Sequence, residues 1–181
     1  MKPITGLRRD HAAITVMMGV LEKLCAKCWQ GEEINPNHLD KVVEFIEVFI
    51  DRYHHRKEEE LFAALRKAGI PLDGGELGTI PEEHASLRRY IRGMREAAVD
   101  YRKQPVSGMY KFFINAREFG SVYLRHLDKE KNMLYPSAEW VLTGGEQEVL
   151  GKAFERIDGE TGPARLVEFH LLANRLKDIY C

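Results

Sequence analysis

His54-His55-Arg56-Lys57-Glu58 and His126-Leu127-Asp128-Lys129-Glu130 are two copies of one pattern, H-x-x-K-E. On a helix, residues i and i+4 share a face, with Cβ atoms about 5–6 Å apart. An imidazole and a carboxylate at that spacing reach a common point. Both copies sit inside apolar stripes that recur at steps of three and four, the helical signal. The first follows Leu39, Val43, Ile46 and Ile50 and runs on to Leu61 and Leu65. The second follows Phe112, Ala116, Phe119 and Tyr123 and runs on to Met133.

Two further stripes complete a set. One reads Ile4, Leu7, His11, Ile14, Met18 and Leu21, and the other Ile80, His84, Leu87, Ile91 and Met94. Gly and Pro cluster between the stripes, near 31–36, 69–81 and 105–108, and again at 144–145 and 159–163. Such clusters punctuate a chain. No segment holds a period of two, so no sheet is expected. The pattern predicts an all-α protein, an up-down-up-down four-helix bundle over residues 1–140. Residues 141–181 read as two shorter helices, an extension packed on the bundle. Thr5 and Asn37 are expected to start helices, and Gly31 and Gly69 to end them.

One histidine thus falls on the core stripe of each bundle helix: His11, His54, His84 and His126. Glu58 and Glu130 fall there too. Burying charge is costly unless it is paired or bound to a metal. In an antiparallel bundle, positions early in odd helices meet positions late in even ones. His11 and His84 are early; His54, Glu58, His126 and Glu130 are late. All six therefore meet in one layer, offering four nitrogen and two carboxylate ligands. That donor set suits iron, manganese or zinc. His55 and Glu59 have the same spacing as His54 and Glu58. At about 100° per residue the latter pair lies nearer the stripe, and the repeat with His126–Glu130 selects it; His55 and Glu59 then read as flanking residues. The rival carboxylate di-iron bundle needs Glu-x-x-His, and no histidine here has Glu three residues before it.

The segments Leu7–His11, His54–Glu59, Glu83-His84-Ala85, His126–Glu130 and Leu134-Tyr135-Pro136 together resemble the hemerythrin family, in its bacterial hemerythrin-like, HHE cation-binding branch. The resemblance covers about residues 4 to 140. It implies a non-haem centre of two iron ions with an oxo or hydroxo bridge. His11, His54, His84 and His126 are then terminal ligands, and Glu58 and Glu130 the bridges. Oxygen-carrying members place another histidine one turn before the one aligned with His84; here that position is Ile80. Their second bridge is commonly an aspartate one residue further on than Glu130. The resemblance therefore implies a site one imidazole short of the carriers. The expected partner is a small diatomic ligand or peroxide, bound for sensing, storage or detoxification. Two other readings stand beside it: an enzyme decomposing peroxide or reducing nitric oxide at an open iron position, and a zinc-loaded or metal-free interaction module.

Composition narrows the classes. Lys and Arg total 27 against 28 Asp and Glu, a formal net charge of -1. No bulk field favours nucleic acid, and no apolar run approaches the roughly 20 residues of a membrane span. The first ten residues lack a signal peptide's apolar stretch. Three cysteines argue against a disulfide framework and for a reducing, cytoplasmic setting. Cys25-Ala26-Lys27-Cys28 ends a helix, so it reads as buried apolar packing rather than a redox motif, and Cys181 as exposed. His38 reads as surface and His170 as a packing residue. Tyr53, Tyr123 and Tyr135 flank the candidate ligands and read first as core.

Overall fold

The computed structural model describes residues 2–72 and 74–181. Among them there is no strand. α1 spans Pro3–Gln30. α2 is continuous through three stretches: α-helical Pro36–Glu44, π-helical Phe45–His55 and α-helical Arg56–Lys67. A single turn, Gly75–Gly78, leads to α3, Ile80–Lys103. α4 runs from Pro105–Lys129 through a π-helical stretch, Glu130–Leu134, into Tyr135–Val141. α5 (Gly144–Thr161) and α6 (Pro163–Tyr180) follow.

Helix ends follow local chemistry, with two shifts from expectation. Gly31 closes α1 at φ 71°, donating to Cys28 and Lys27 carbonyls, and Gly69 lies just beyond α2 at φ 84°. Such left-handed positions favour glycine because it has no Cβ. α1 starts earlier than Thr5, at Pro3, whose missing N–H costs nothing in a first turn. The cap of α2 is Asn35, not Asn37: the Asn35 side chain accepts from the Asn37 backbone N–H. α5 opens with a Thr143–Glu146 capping box. Between α3 and α4 a Cβ on Gly108 would lie 2.3 Å from the Tyr101 backbone N. Only glycine permits that reversal.

α1 to α4 form the bundle, with α3 packed along α4 and α1 along α4. α6 lies on α1, and α5 on the second half of α2. The buried apolar residues divide into two clusters. One takes Ala13–Leu24 of α1, Leu39–Tyr53 of α2, Leu87–Tyr101 of α3 and Phe112–Tyr123 of α4. The other takes Ile4 and Leu7, Leu61 and Leu65, Ile80, then Leu134 and Tyr135. In every bundle helix the gap between the clusters is where the histidines and glutamates stand. A polar layer thus crosses the bundle between two apolar plugs. α5 and α6 add Leu150 and Phe154 to one plug and Ile157, Phe169 and Leu176 to the other.

His170 packs edge-on against Phe49 at 5.4 Å. His38 is not free at the surface: it is half-buried, its Nδ1 2.7 Å from the Tyr180 hydroxyl, and so pins α6 to α2. Cys25 and Cys28 are half-buried rather than buried, and Cys181 is exposed. Burial pushes the Cys25 thiol up to about 12 and the Cys28 thiol up to about 11, which keeps them protonated and poorly reactive. No helix among the described residues is long and apolar enough to cross a membrane.

Candidate metal centre

His54, Glu58, His126 and Glu130 are fully buried, and His84 nearly so. Two groups of side chains converge. His11, His54, Glu58 and Glu130 form one; His55, Glu58, His84 and His126 form the other; ligand atoms in each lie within 4.8 Å of one another. The six expected residues are therefore brought together. His55 joins them, which corrects its reading as a flanking residue.

The cause is the π-helical stretch. Its i→i+5 hydrogen bonds accommodate an extra residue per turn, so the α-helical phase that turned His55 away does not hold. His54 and His55 are both fully buried. The His55 ring stacks on His84, centroids 4.0 Å apart and planes 11° from parallel. Glu59 stays outside and accepts from Arg88 at 3.1 Å. Ile80 packs in the apolar plug, and His55 adds an imidazole to the layer. The layer holds five imidazoles, not four.

Each carboxylate spans both groups. Glu58 Oε1 is 3.4 Å from His54 Nε2 and its Oε2 is 3.6 Å from His84 Nε2. Glu130 Oε2 is 3.0 Å from His11 Nε2 and its Oε1 is 2.6 Å from His126 Nε2. The groups face each other internally as well, with His11 and His54 Nε2 atoms 3.0 Å apart and those of His84 and His126 3.2 Å apart. Tyr135, expected as packing, puts its hydroxyl 2.8 Å from His11 Nε2 and donates to Glu58 Oε1 at 2.8 Å.

Carboxylates stand at the outward ring nitrogens. Asp10 Oδ2 faces His54 Nδ1 at 3.7 Å, Asp51 Oδ1 faces His55 Nδ1 at 3.5 Å, and Glu83 Oε2 accepts from His126 Nδ1 at 3.1 Å. Such partners orient a ligating imidazole and raise its basicity. They are supported in turn: Arg88 donates to Asp51 at 2.8 Å, and Lys129 pairs with Glu83. Behind Asp10 lies a buried lysine. Lys57 Nζ is 3.5 Å from Asp10, 2.7 Å from Asp158 on α5, and hydrogen-bonded to the Tyr53 hydroxyl.

The charges follow from these contacts. Burial pulls the His54 imidazole down, but Glu58 and Asp10 outweigh it and push it up to about 10. His126 reaches about 10 in the same way, against its own burial, through Glu130, Glu83 and Glu58. His55 lies well below the ordinary range, because burial and the neighbouring His84 and His126 both oppose its charge. Glu58 is buried, yet His54 and His84 hold it well below the usual carboxylate range. Burial and the carboxylates Glu58 and Glu130 push the Tyr135 phenol up.

Several of these buried atoms make no hydrogen bond: His54 Nδ1, both nitrogens of His55, Glu58 Oε2 and both oxygens of Glu130. The inward-facing ones among them, His55 Nε2, Glu58 Oε2 and both Glu130 oxygens, converge on the space between the two groups. Buried polar atoms are ordinarily satisfied; bound cations would satisfy His55 Nε2, Glu58 Oε2 and the Glu130 oxygens, while His54 Nδ1 and His55 Nδ1 face Asp10 and Asp51. The residues present fit metal cations held by imidazole nitrogen and carboxylate oxygen.

A four-helix bundle with a polar layer of five histidines and two spanning glutamates is a metal-binding bundle protein. The hemerythrin HHE cation-binding domain matches residues 2–138. The chain belongs to that family. Searches of curated proteins and of solved structures gave no match. The family match ends before α5, so Asp158 reaches the cluster's surroundings from outside it.

Proposed function

We propose that this chain holds two iron ions between its two residue groups and binds a small neutral ligand there: dioxygen, or a relative such as nitric oxide. The observation that carries the reading is the disposition of Glu58 and Glu130, each with one oxygen toward either group. One ion needs no such pair of spanning carboxylates; two adjacent ions do. His55, His84 and His126 would hold one ion, and His11 and His54 the other, with both glutamates between them. Iron so held supplies reversible redox chemistry and an affinity for small π-acceptor ligands. The chain's own residues exclude bulk water with two apolar plugs, fix the imidazoles through Asp10, Asp51 and Glu83, and place the Tyr135 hydroxyl at Glu58. We propose further that residues 1–140 form the binding unit and 141–181 its extension, and that the three free thiols fit a cytoplasmic setting.

His55 weighs between the readings. An enzyme decomposing peroxide or reducing nitric oxide drew its support from the imidazole absent at Ile80. With His55 beside His84, that support falls away, and ligand binding for sensing, storage or detoxification is favoured. Protein from iron-replete cells should carry about two iron ions per chain and absorb in the near-ultraviolet and visible as a coupled di-iron centre. His54→Ala combined with Glu58→Ala should lose both. Zinc in their place, or metal content indifferent to that double substitution, would support the interaction-module reading instead.

A further inference from the structure

The lysine of H-x-x-K-E is not among the metal donors, yet both copies place it in the same relation to their own histidine. Lys57 Nζ lies 3.5 Å from Asp10, the carboxylate that faces His54. Lys129 pairs with Glu83, the carboxylate that accepts from His126 Nδ1. Each lysine thus stands behind the carboxylate that stands behind its own imidazole. Those carboxylates come from other helices, Asp10 from α1 and Glu83 from α3.

The copies differ in what else holds the lysine. Lys129 donates to the Thr79 hydroxyl at 2.7 Å, a neutral partner. Lys57 meets a second carboxylate, Asp158 of α5, at 2.7 Å and so closer than Asp10. The Tyr53 hydroxyl joins them, donating to Asp158 at 2.9 Å and accepting from Lys57. Lys57, Asp10 and His54 are buried, whereas Asp158 is partly exposed. One oxygen of Asp10, Oδ2, serves both the ammonium at 3.5 Å and His54 Nδ1 at 3.7 Å. The two compete for it.

We propose that Lys57 is a positioning residue for His54, acting through Asp10, and that Asp158 of the C-terminal extension governs it by drawing its charge away from Asp10. This rests on the part of the proposed function that puts a cation at His11 and His54. A carboxylate at the outer nitrogen strengthens an imidazole as a metal ligand. An ammonium beside that carboxylate takes up part of its charge, more so the closer it comes. With Asp158 in place the ammonium sits toward α5. Without it, Lys57 turns to Asp10, and less of Asp10 is left for His54. Since α5 lies beyond the stretch that the family match covers, the extension sets the strength of one ligand of the bundle.

Two substitutions at this contact carry opposite signs. Asp158→Asn keeps the shape and removes the charge. The ion pairs Arg56–Glu160 and Arg156–Glu60, at 2.5 and 2.8 Å, still seat α5 on α2, so this variant folds. Lys57→Met removes the ammonium and leaves Asp10 to His54. Zinc suits the same donors and serves as the probe, in the full chain labelled at the histidine nitrogens. The His54 Nδ1–H proton resonance should move upfield in Asp158→Asn and downfield in Lys57→Met. By chelator competition, zinc at His11 and His54 should be held about tenfold less tightly in Asp158→Asn and no less tightly in Lys57→Met. Asp158→Glu, which keeps the charge, should stay near the wild type. Lys129→Met should shift His126 downfield and leave His54 in place. A contact that only braces the fold would loosen the site in both variants. Shifts of the same sign, or no shift in either, would therefore overturn the proposal. Opposite shifts in a chain that holds zinc but no iron would refute the proposed di-iron function and leave the role of Asp158 standing. A chain that binds neither metal would sink both.

Discussion

The rings of His55 and His84 lie parallel at 4.0 Å, 11° apart, in the middle of the bundle. Neither nitrogen of His55 has a hydrogen-bond partner, and burial, with His84 and His126 beside it, holds it neutral. A neutral imidazole with a free lone pair is what a metal requires. His55→Ala should therefore reduce iron from about two ions per chain to about one, because the other group keeps all its members. Glu59→Ala removes a carboxylate paired with exposed Arg88 and should leave iron content unchanged. Elemental analysis of both variants decides between the two registers of the H-x-x-K-E pattern.

Removal of the Tyr135 hydroxyl tests its contact with Glu58. Tyr135→Phe keeps the ring in its apolar plug but leaves a buried carboxylate oxygen short of one donor. The metal-free variant should be destabilised by about 1–3 kcal/mol in denaturant unfolding. The iron-loaded variant should show a shifted visible spectrum at unchanged iron content. An unaltered spectrum would place the phenol outside the ligand environment.

Titration of the metal-free protein has a definite sign. His54 and His126 rise from the ordinary 6.5 to about 10 in the folded state. The stability they contribute is complete below pH 6.5 and is lost as pH rises toward 10. His55 is shifted the other way, so its contribution is present above pH 6.5 and lost as pH falls; Glu58, held low, adds a further loss in acid. The metal-free melting temperature should peak near neutrality and decline on both sides. Bound metal needs both imidazoles neutral, so the alkaline decline should vanish on loading, and uptake should release protons. A melting temperature that rises from pH 7 to 9 without metal would contradict these charges.

Lys57 ties the extension to the cluster. Its ammonium is buried between Asp10 and Asp158, 3.5 and 2.7 Å away. Lys57→Ala leaves the buried Asp10 carboxylate with His54 alone and should cost about 1–3 kcal/mol. Asp158 is partly exposed, so Asp158→Ala should cost less, about 1 kcal/mol. The double variant should lose less than the sum, measurable by a thermodynamic cycle in denaturant.

Much of this was legible in the residues. Stripe spacing gave four bundle helices and two shorter ones, and the early-odd, late-even rule placed His11, His54, His84 and His126 with Glu58 and Glu130 in one layer, where the structure has them. His55 was not legible, because an α-helical phase turns it off the stripe and a π-helical stretch leaves no mark in composition. Asp10, Asp51 and Glu83 were missed for another reason. Acidic residues one to four positions from a histidine are commonplace on helix faces; only the packed bundle shows that Asp10 serves His54 and Glu83 serves His126, each on a different helix. Tyr135 looked like any core aromatic because its ring is one, and only the position of its hydroxyl departs from that.

The proposed function stands or falls on two adjacent cations shared by Glu58 and Glu130. Anomalous diffraction across the iron edge, from crystals of protein grown with iron, tests it most directly. Two iron peaks are expected, one among His55, His84 and His126 and one between His11 and His54, with both glutamates spanning them. A single peak, or none in that layer, would contradict it.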